Sequence, residues 1–337
     1  MAAKKVVVIF SKYEATEKTL CALYLADHIL CRYKYAIWVV PEDVKLNGRY
    51  AGFSHKWDKE VISLASNIDK VKALLAKCEM CIFLDDSETL FSLLPPKAKT
   101  ACFLDPHTWH YEQSRQFAKK CDYVLSTSHY ITKKLVRANL FTHDIFCPFT
   151  PTIQLIPRVW IDSGEVATIF YPAYGMSFAE KQCLRQIAEI VKMCCPKTKS
   201  VIGTYNTREK SEIGMDTRAY DWKMLDYVKQ SDWIIDLNPR PLFGLFASLA
   251  GSAGIQWSCF DIPPHNDDYN AARRHLIDYP DGGLTMENAD GIAENIVRQL
   301  SEPLGDEATR MQGAGAYAKR LKEYSVAMNR LFGKKNR

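Results

Sequence analysis

The sequence predicts an α/β protein built from two domains, each a parallel β-sheet covered by helices on both faces. The chain has 337 residues, and a typical size of roughly 150 residues per domain gives two domains. Short continuous apolar runs alternate with amphipathic segments along the chain, which is typical of parallel sheets. Residues 146–165 hold three prolines and little helical periodicity, so we place the link between the domains there.

In the first domain, residues 1–150, β-branched apolar runs predict strands and 3.6-residue periodicity predicts helices. The opening run MAAKKVVVIF is short, and charged residues follow it, so it predicts a buried strand and not a signal peptide. The predicted strands cover residues 6–10, 36–40, 80–84, 101–104 and 123–126. The predicted helices cover about residues 17–31, 70–76, 113–119 and 131–138.

The second domain, residues 151–337, repeats this alternation, so both halves are expected to be Rossmann-like. Residues 306–332 predict one long helix, which could cross back to the first domain. The predicted strands cover residues 167–171, 200–203, 233–237 and 255–260. Further helices are predicted at residues 179–193, 222–229 and 289–300, and one begins at residue 242.

The excess positive charge of the chain lies in the first domain. Residues 1–150 hold 21 Lys and Arg against 16 Asp and Glu, whereas residues 151–337 hold 23 of each. A solvated lysine-rich surface explains such an excess, and so does an anionic partner.

The cysteines and the hydropathy indicate a cytoplasmic protein. No run of about 18 apolar residues is present, so no membrane-spanning helix is predicted. The eleven cysteines lie mainly in apolar runs, where a reduced thiol behaves as a small hydrophobic group. Cys78 and Cys81 form a CxxC pair with no second pair at zinc-binding spacing, so we expect them to be buried thiols.

Four stretches follow one another in an order that resembles glycosyltransferase family 4 and its GT-B relatives. In the second half these are IFYPAYGMSFAEK, SVIGTY and MLDYVKQSDWIIDLNPRPLFGLFASLAGSAGI. In the first half, FLDPHTWHYEQSRQFAKKCDYVLSTSHYITKKL is similar to the family's stretch of a histidine, a helix and an Asp before a strand. The resemblance covers most of the chain as a spaced pattern. It implies a GT-B fold, two Rossmann-like domains facing across a cleft, and sugar transfer from a nucleotide-sugar donor.

This resemblance places the donor diphosphate at the start of a helix in the second domain. A departing diphosphate needs backbone N–H groups at a helix N-terminus together with cationic side chains. The turn of Phe243, Gly244 and Leu245 opens such a helix, and Arg240 lies beside it. A UDP-sugar is the favoured donor. Family members often need no metal, so no obligatory metal is predicted.

Other residues extend the predicted donor site. Gly175 precedes the helix that carries Lys181 and offers a second anion site. Gly203 and Tyr205 lie at the end of a predicted strand, where base and ribose could bind. Lys12 follows the first strand and could also contact phosphate.

The sequence departs from the family pattern in two ways. The family's paired glutamates, which normally hold the donor ribose and sugar hydroxyls, would fall at Pro241 and Leu249. The glycine-rich loop after the first strand is absent, and Ser11 and Lys12 begin the segment that replaces it. The donor sugar is therefore expected to be recognised by other groups.

Four candidate catalytic residues follow predicted strands, where side chains point into a cleft in this architecture. Asp85 and Asp86 follow the strand CIFL, and Asp105 and His107 follow ACFL. If the enzyme inverts, one of the three aspartates is the general base. If it retains, His107 matches the histidine that the family places near the sugars. Alternatively the aspartates only begin loops, as Asp often does.

The polar segment 41–59 is a candidate acceptor loop, because basic and aromatic side chains alternate in it. These are Lys45, Arg49, Tyr50, Lys56 and Trp57. Such a mixture suits a nucleic-acid surface as well as a mobile acceptor loop, and an ordinary surface loop needs no such role.

Three functions are consistent with the sequence. The first is transfer to hydroxymethylated bases of double-stranded DNA, resembling bacteriophage DNA glycosyltransferases, and the basic first domain favours it. The second is transfer to a cell-surface glycan or a lipid-linked acceptor. The third is an inactive protein that only binds nucleotide or nucleic acid, which the missing glutamates favour. A Rossmann oxidoreductase is disfavoured because no GxGxxG follows a predicted strand.

Overall fold

The chain forms two compact units in a computed structural model. Unit 1 comprises Met1–Thr152 with Glu323–Arg337, and unit 2 comprises Ile153–Lys322. The structure describes residues 6–12, 36–42, 61–104, 108, 110–126, 129–137, 144–146, 166, 168–173, 175–204, 216–219, 228, 230–241, 246, 250, 255–262, 274–301, 322 and 326.

Unit 1 contains a seven-stranded parallel sheet in the order β3-β2-β1-β4-β5-β6-β7. β1 is an interior strand that pairs with β2 and β4, and every one of its residues is buried. Phe10 is in register with Val39 of β2 and with Phe83 of β4. The strands are β1 Val6–Phe10, β2 Ala36–Val40, β3 Val61–Ser63, β4 Cys78–Phe83, β5 Lys99–Leu104, β6 Tyr123–Ser126 and β7 Asp144–Phe146.

The described helices of unit 1 are α1 Ile68–Leu75, α2 Glu88–Ser92, α3 Glu112–Lys120 and α4 His129–Arg137. An aromatic cluster joins α2 and α3 to β4. The Phe83 and Phe117 rings lie 5.0 Å apart between centroids in an edge-to-face arrangement, and Phe91 lies 5.7 Å from Phe117. Such contacts favour a fixed mutual orientation. They hold the start of α3 near the carboxyl end of β4.

Unit 2 contains a six-stranded parallel sheet in the order β10-β9-β8-β11-β12-β13. The central strands β8 and β11 are almost entirely buried, as their continuous apolar runs require. The strands are β8 Thr168–Pro172, β9 Lys199–Thr204, β10 Asp216–Ala219, β11 Trp233–Asp236, β12 Gln256–Phe260 and β13 Arg274–Ile277.

Two described helices, α5 Phe178–Cys194 and α6 Ala289–Leu300, pack side by side in unit 2. Ser177 and Glu180 form a capping box at the start of α5, in which each side chain accepts the backbone N–H of the other. Gln186 of α5 donates to Asp290 of α6 at 3.1 Å. The buried face of α5 packs on the sheet and fixes the start of this helix relative to β8.

The central elements confirm the sequence prediction, with every predicted element in the described part of the chain lying within two residues of the observed bounds. The run 6–10 is the buried strand β1, as expected. Predicted helices 17–31, 222–229, 306–332 and the one from residue 242 lie wholly or mostly outside the described residues. The prediction omitted five elements: β3, β7, β10, β13 and α2.

The four strands that the prediction omitted are the edge strands of the two sheets, namely β3, β7, β10 and β13. An edge strand pairs on one side only, so it needs no continuous apolar run. The sequence of β10, DTRA, and that of β13, RHLI, are accordingly polar in part. The five-residue helix α2 is too short for periodicity to indicate it.

Cys78 and Cys81 lie in β4, and both thiols are buried as predicted. The Cys78 thiol donates a hydrogen bond to the Met80 carbonyl at 3.1 Å. Burial raises the pKa of Cys78 to about 12 and raises the pKa of Cys81. Thiols that stay protonated are poor nucleophiles, so this CxxC pair is part of the core.

Candidate functional site

Each sheet has a point at which chain order reverses, and ligands of such sheets bind beyond the carboxyl ends of the strands there. In unit 1 this point lies between β1 and β4, and in unit 2 it lies between β8 and β11. Lys12 follows β1, and Asp85 and Asp86 follow β4. Gly175 follows β8, and Arg240 follows β11. These predicted site residues therefore lie at the two switch points.

In unit 1, hydrogen bonds hold the two adjacent carboxylates differently. Asp85 Oδ2 accepts the backbone N–H of Lys12 at 2.8 Å, which ties the end of β4 to the end of β1. Asp86 Oδ2 accepts the hydroxyl of Ser114 at 2.9 Å. Ser114 is buried in the first turn of α3, so Asp86 is fixed by a helix that starts at the same edge of the sheet.

A cavity of about 250 Å³ opens at this edge. It brings together two of the four candidate catalytic residues and Lys12. Asp105 and His107 lie outside the described residues. Three polar lining residues, Thr108, Gln113 and Ser114, were not among the predicted site residues, although a predicted helix start after β5 could have indicated the last two. The cavity is lined by Lys12, Leu84, Asp85, Asp86, Phe103, Thr108, Gln113 and Ser114.

In unit 2, consecutive side-chain bonds shape the segment after β11. The backbone N–H of Asn238 donates to Asp236 Oδ1 at 3.2 Å, and the backbone N–H of Arg240 donates to Asn238 Oδ1 at 2.9 Å. Gly175 faces this segment with φ of +71°, a conformation that favours glycine. A Cβ built on Gly175 would lie 3.8 Å from Asn238 Nδ2, so the φ value and not lack of space explains the glycine.

The Arg240 side chain extends from this segment to the start of α5. Its Nη2 lies 2.6 Å from Glu180 Oε2 and 3.3 Å from the Gly175 carbonyl oxygen. The Arg240 side chain is 49% exposed and that of Glu180 is 14% exposed. Glu180 was not among the predicted site residues, although the Ser-x-x-Glu pattern of a capping box indicates that residue.

The start of α5 is therefore occupied by the protein's own groups. Glu180 Oε2 accepts the Ser177 N–H at 2.6 Å, and the Ser177 hydroxyl accepts the Glu180 N–H at 3.3 Å. Lys181, the next residue, is buried. Arg185, one turn on, pairs with Glu189 on the same helix at 2.8 Å. Among these three described cations, the Arg240 side chain is the most exposed, at 49% against 35% for Arg185.

The remaining predicted donor residues are only partly described. Gly203 lies in β9 in register with Pro172, and its carbonyl accepts the Ala173 N–H at 2.8 Å. This bond continues the β8–β9 ladder to the carboxyl edge. The other predicted donor and acceptor residues lie outside the described residues: Tyr205, Phe243, Gly244, Leu245, Lys45, Arg49, Tyr50, Lys56 and Trp57.

In each unit, an Asp that directly precedes a strand forms hydrogen bonds with the neighbouring strand. Both of these residues belong to the stretches that resemble family 4. Asp232 Oδ2 accepts the Thr168 N–H at 2.8 Å, and the Asp232 N–H donates to the Thr168 carbonyl at 2.8 Å. Asp122 Oδ2 accepts the Thr100 N–H at 2.7 Å and its hydroxyl at 3.0 Å. Both lie at the amino edge of a sheet, opposite the switch points, so they are architectural.

Two further properties of the described part of the chain bear on function. None of its helices is long and apolar enough to cross a membrane. Within the same described ranges, no three His, Cys, Asp or Glu side chains are grouped so that they could hold a metal ion.

No protein-family model matches the sequence, and no curated protein is significantly similar to it. Solved structures do match. The pneumococcal O-GlcNAc transferase GtfA, in complex with UDP and GlcNAc, has a TM-score of 0.57 at 13% identity over 78% of this chain. This chain spans 60% of the length of GtfA.

Two other solved structures match over nearly the full length of both chains. A glycosyltransferase from Rickettsia africae has a TM-score of 0.58 at 11% identity, covering 100% of each chain. A putative UDP-N-acetylglucosamine 2-epimerase from Listeria monocytogenes has a TM-score of 0.57 at 11% identity, covering 100% of this chain and 99% of its own. At such identities the likeness concerns the fold. The chain has two Rossmann-like parallel-sheet domains of the GT-B class.

Proposed function

We propose that this protein is a glycosyltransferase that moves a sugar from a UDP-sugar to an acceptor hydroxyl. The observation that carries the proposal is the half-exposed Arg240, which lies beside Gly175 at the switch point of unit 2. A diphosphate leaving group needs such charge at such an edge. The likeness of this chain to a transferase solved with UDP supports a UDP-sugar as the donor.

In this proposal the residues of unit 2 bind the donor. Arg240 and Lys181 neutralise the diphosphate as it departs, and the turn at Gly175 allows its close approach. Gly203 and Tyr205 receive the base and ribose, and the helix opened by Phe243, Gly244 and Leu245 adds backbone N–H groups. These last assignments follow the resemblance to family 4.

The cavity of unit 1 supplies the acceptor side of the reaction. Asp86 is the proposed general base of an inverting transfer, because its carboxylate lines the cavity and is oriented by the Ser114 hydroxyl. Asp85 maintains the link to Lys12 at the end of β1. In a retaining transfer, His107 takes the place near the sugars that the resemblance implies.

We further propose that the acceptor is a hydroxymethylated base in DNA, bound in the cytoplasm. The net charge supports this, since the whole excess of positive charge lies in residues 1–150. The first domain, 1–150, would then bind DNA with its loop at residues 41–59, and the second, 151–337, would bind the donor. A flipped base would carry its hydroxyl to the cavity.

Three other functions share the donor site. The acceptor could be a glycan or a lipid-linked sugar with the same chemistry. A UDP-sugar epimerase is favoured by the full-length likeness to a putative UDP-N-acetylglucosamine 2-epimerase. A nucleotide-binding protein without catalysis is the remaining alternative, consistent with Pro241 and Leu249 at the glutamate positions.

The test is incubation with UDP- and GDP-sugars, with and without DNA that contains hydroxymethylcytosine or hydroxymethyluracil, followed by mass spectrometry of nucleosides and sugars. A sugar mass on the modified nucleoside supports the full proposal. Donor hydrolysis with unmodified DNA supports a transferase for another acceptor, and an epimerised UDP-sugar supports the epimerase. No donor consumption contradicts catalysis. The Arg240→Ala variant controls for a contaminating enzyme.

A further inference from the structure

The contact between Arg240 and Glu180 joins two segments that lie 60 residues apart in sequence. Arg240 follows β11, and Glu180 lies in the first turn of α5. The Glu180 carboxylate and the Gly175 carbonyl both accept from the same guanidinium nitrogen, Nη2. One end of the guanidinium is thus held by two acceptors, both on the stretch that leads from β8 into α5.

These two contacts leave most of the guanidinium N–H groups available to bind an anion. Arginine has five N–H groups in a planar fork, and the two contacts use Nη2 only. Nε and Nη1 donate to no atom of the described residues. A half-exposed arginine without anchors samples many rotamers and loses that freedom when it binds an anion. An anchored arginine has already lost this rotamer freedom before the anion binds.

Glu180 is itself held firmly enough to act as an anchor. Its Oε2 also accepts the Ser177 N–H at 2.6 Å within the capping box. It is 14% exposed, and α5 packs through a buried apolar face on the sheet and on α6. The carboxylate therefore has a defined position relative to Gly175.

We propose that Glu180 is a positioning residue for the donor diphosphate. It holds Arg240 against the Gly175 turn so that Nε and Nη1 are presented to the phosphates at the switch point of unit 2. The inference rests on the proposed function, because the anion that Arg240 meets is the diphosphate of the donor. Glu180 acts through Arg240 and does not contact the donor.

The opposite hypothesis is that Glu180 is a stand-in anion, which the phosphate must displace from Arg240. The two hypotheses predict effects of opposite sign. Glu180→Gln keeps an oxygen that can accept the Ser177 N–H but loses the charge that holds Arg240. If Glu180 positions Arg240, this variant binds UDP more weakly. If Glu180 competes with phosphate, it binds UDP more tightly.

The experiment compares UDP affinity by calorimetry and donor KM and kcat in the full-length protein and its variants. We expect Glu180→Gln to raise the UDP Kd and the donor KM about 10-fold, the loss of roughly one charge-assisted hydrogen bond, with kcat within about 2-fold. Glu189→Gln is the matched control, since it breaks the other ion pair of α5, with Arg185, away from Gly175.

Two more variants separate positioning from a general effect on the helix. Ser177→Ala removes the hydroxyl of the capping box and leaves Glu180 with Arg240, so UDP affinity should stay near that of the wild type. On an Arg240→Ala background, Glu180→Gln should change the donor KM no further. A further loss there, an equal loss in Ser177→Ala, or unchanged or tighter binding by Glu180→Gln overturns the inference.

The outcomes distinguish this inference from the proposed function. If the wild type neither binds UDP nor turns over a UDP-sugar, the proposed function fails and the inference fails with it. If the wild type binds UDP and Arg240→Ala does not, while Glu180→Gln resembles the wild type, only the role of Glu180 is wrong.

Discussion

The two units use the same bond at the amino edge of their sheets. In unit 1, Asp122 accepts the backbone N–H of Thr100, and in unit 2, Asp232 accepts that of Thr168. In both, the residue before a strand anchors the start of its neighbour. The units differ in burial of this carboxylate, because Asp232 is 5% exposed whereas Asp122 is exposed.

A second bond is also repeated, with a difference in what it connects. A buried Trp indole donates to a buried Ser hydroxyl at 2.8 Å in each unit, from Trp38 to Ser11 and from Trp233 to Ser258. In unit 2 the Ser258 hydroxyl continues to Gln299 of α6 at 2.7 Å. The pair in unit 2 thus also ties a helix to the sheet.

The carboxyl edges, in contrast, carry different charged side chains. The edge of unit 1 carries Asp85 and Asp86 around a cavity of about 250 Å³. The edge of unit 2 carries Arg240, held by Glu180. The comparison teaches that the two units share bonds of the scaffold, including the Asp bond at the amino edge, while the side chains at their carboxyl edges differ.

The largest expected effect is at the carboxyl edge of unit 1. Asp86→Asn should lower kcat for transfer about 10²–10⁴-fold, because the general base is lost. Steady-state kinetics with the acceptor found in the panel measures it. Asp69→Asn, at a side chain that is 94% exposed on α1, is the control. An active Asp86→Asn enzyme would move the role of base to Asp85 or Asp105.

The next effect is at the carboxyl edge of unit 2. Arg240→Ala should lower donor turnover about 10²–10³-fold, as the loss of a group that stabilises the leaving diphosphate does. Its thermal unfolding midpoint should stay close to that of the wild type, because the side chain is half exposed. Arg185→Ala, on α5, is the control. Unchanged kinetics in Arg240→Ala would contradict the placement of the diphosphate.

At the amino edges we expect changes in stability and not in chemistry. Asp232→Ala should destabilise unit 2 by about 1–3 kcal/mol, since it leaves the Thr168 N–H at a strand start without its acceptor. Asp122→Ala should destabilise unit 1 by less, because water can replace an exposed carboxylate. Hydrogen exchange of peptides from β8 and β5 measures each effect separately. Equal losses would show that burial does not distinguish the two bonds.

The smallest effect concerns thiol reactivity. Cys78 and Cys81 of unit 1 are buried, whereas Cys194 of unit 2 is exposed. Because burial raises the pKa of Cys78 to about 12, its thiolate fraction stays very small from pH 7 to 9. Iodoacetamide should label the exposed Cys194 and spare Cys78 until the protein is unfolded, as peptide mapping by mass spectrometry would show. Labelling of Cys78 in the native protein would contradict its burial.

The sequence by itself determined the central strands, the helices that cover them and the two-domain α/β class. The central strands are buried on both faces and the helices along one stripe. Their apolar pattern is therefore a local property of the chain. It also put Asp85, Asp86 and Arg240 at strand ends, because the residues after a parallel strand lie at its carboxyl edge. It missed β3, β7, β10 and β13, since edge strands need no continuous apolar run.

Only the tertiary structure decided which side chains meet at those edges. Ser114 reaches Asp86 across 28 residues of sequence, and Glu180 reaches Arg240 across 60. Periodicity and capping patterns act over a few residues, whereas these contacts depend on strand order and on how each helix packs against its sheet. The sequence could therefore indicate the ends of the strands, and the fold selected the partners found there.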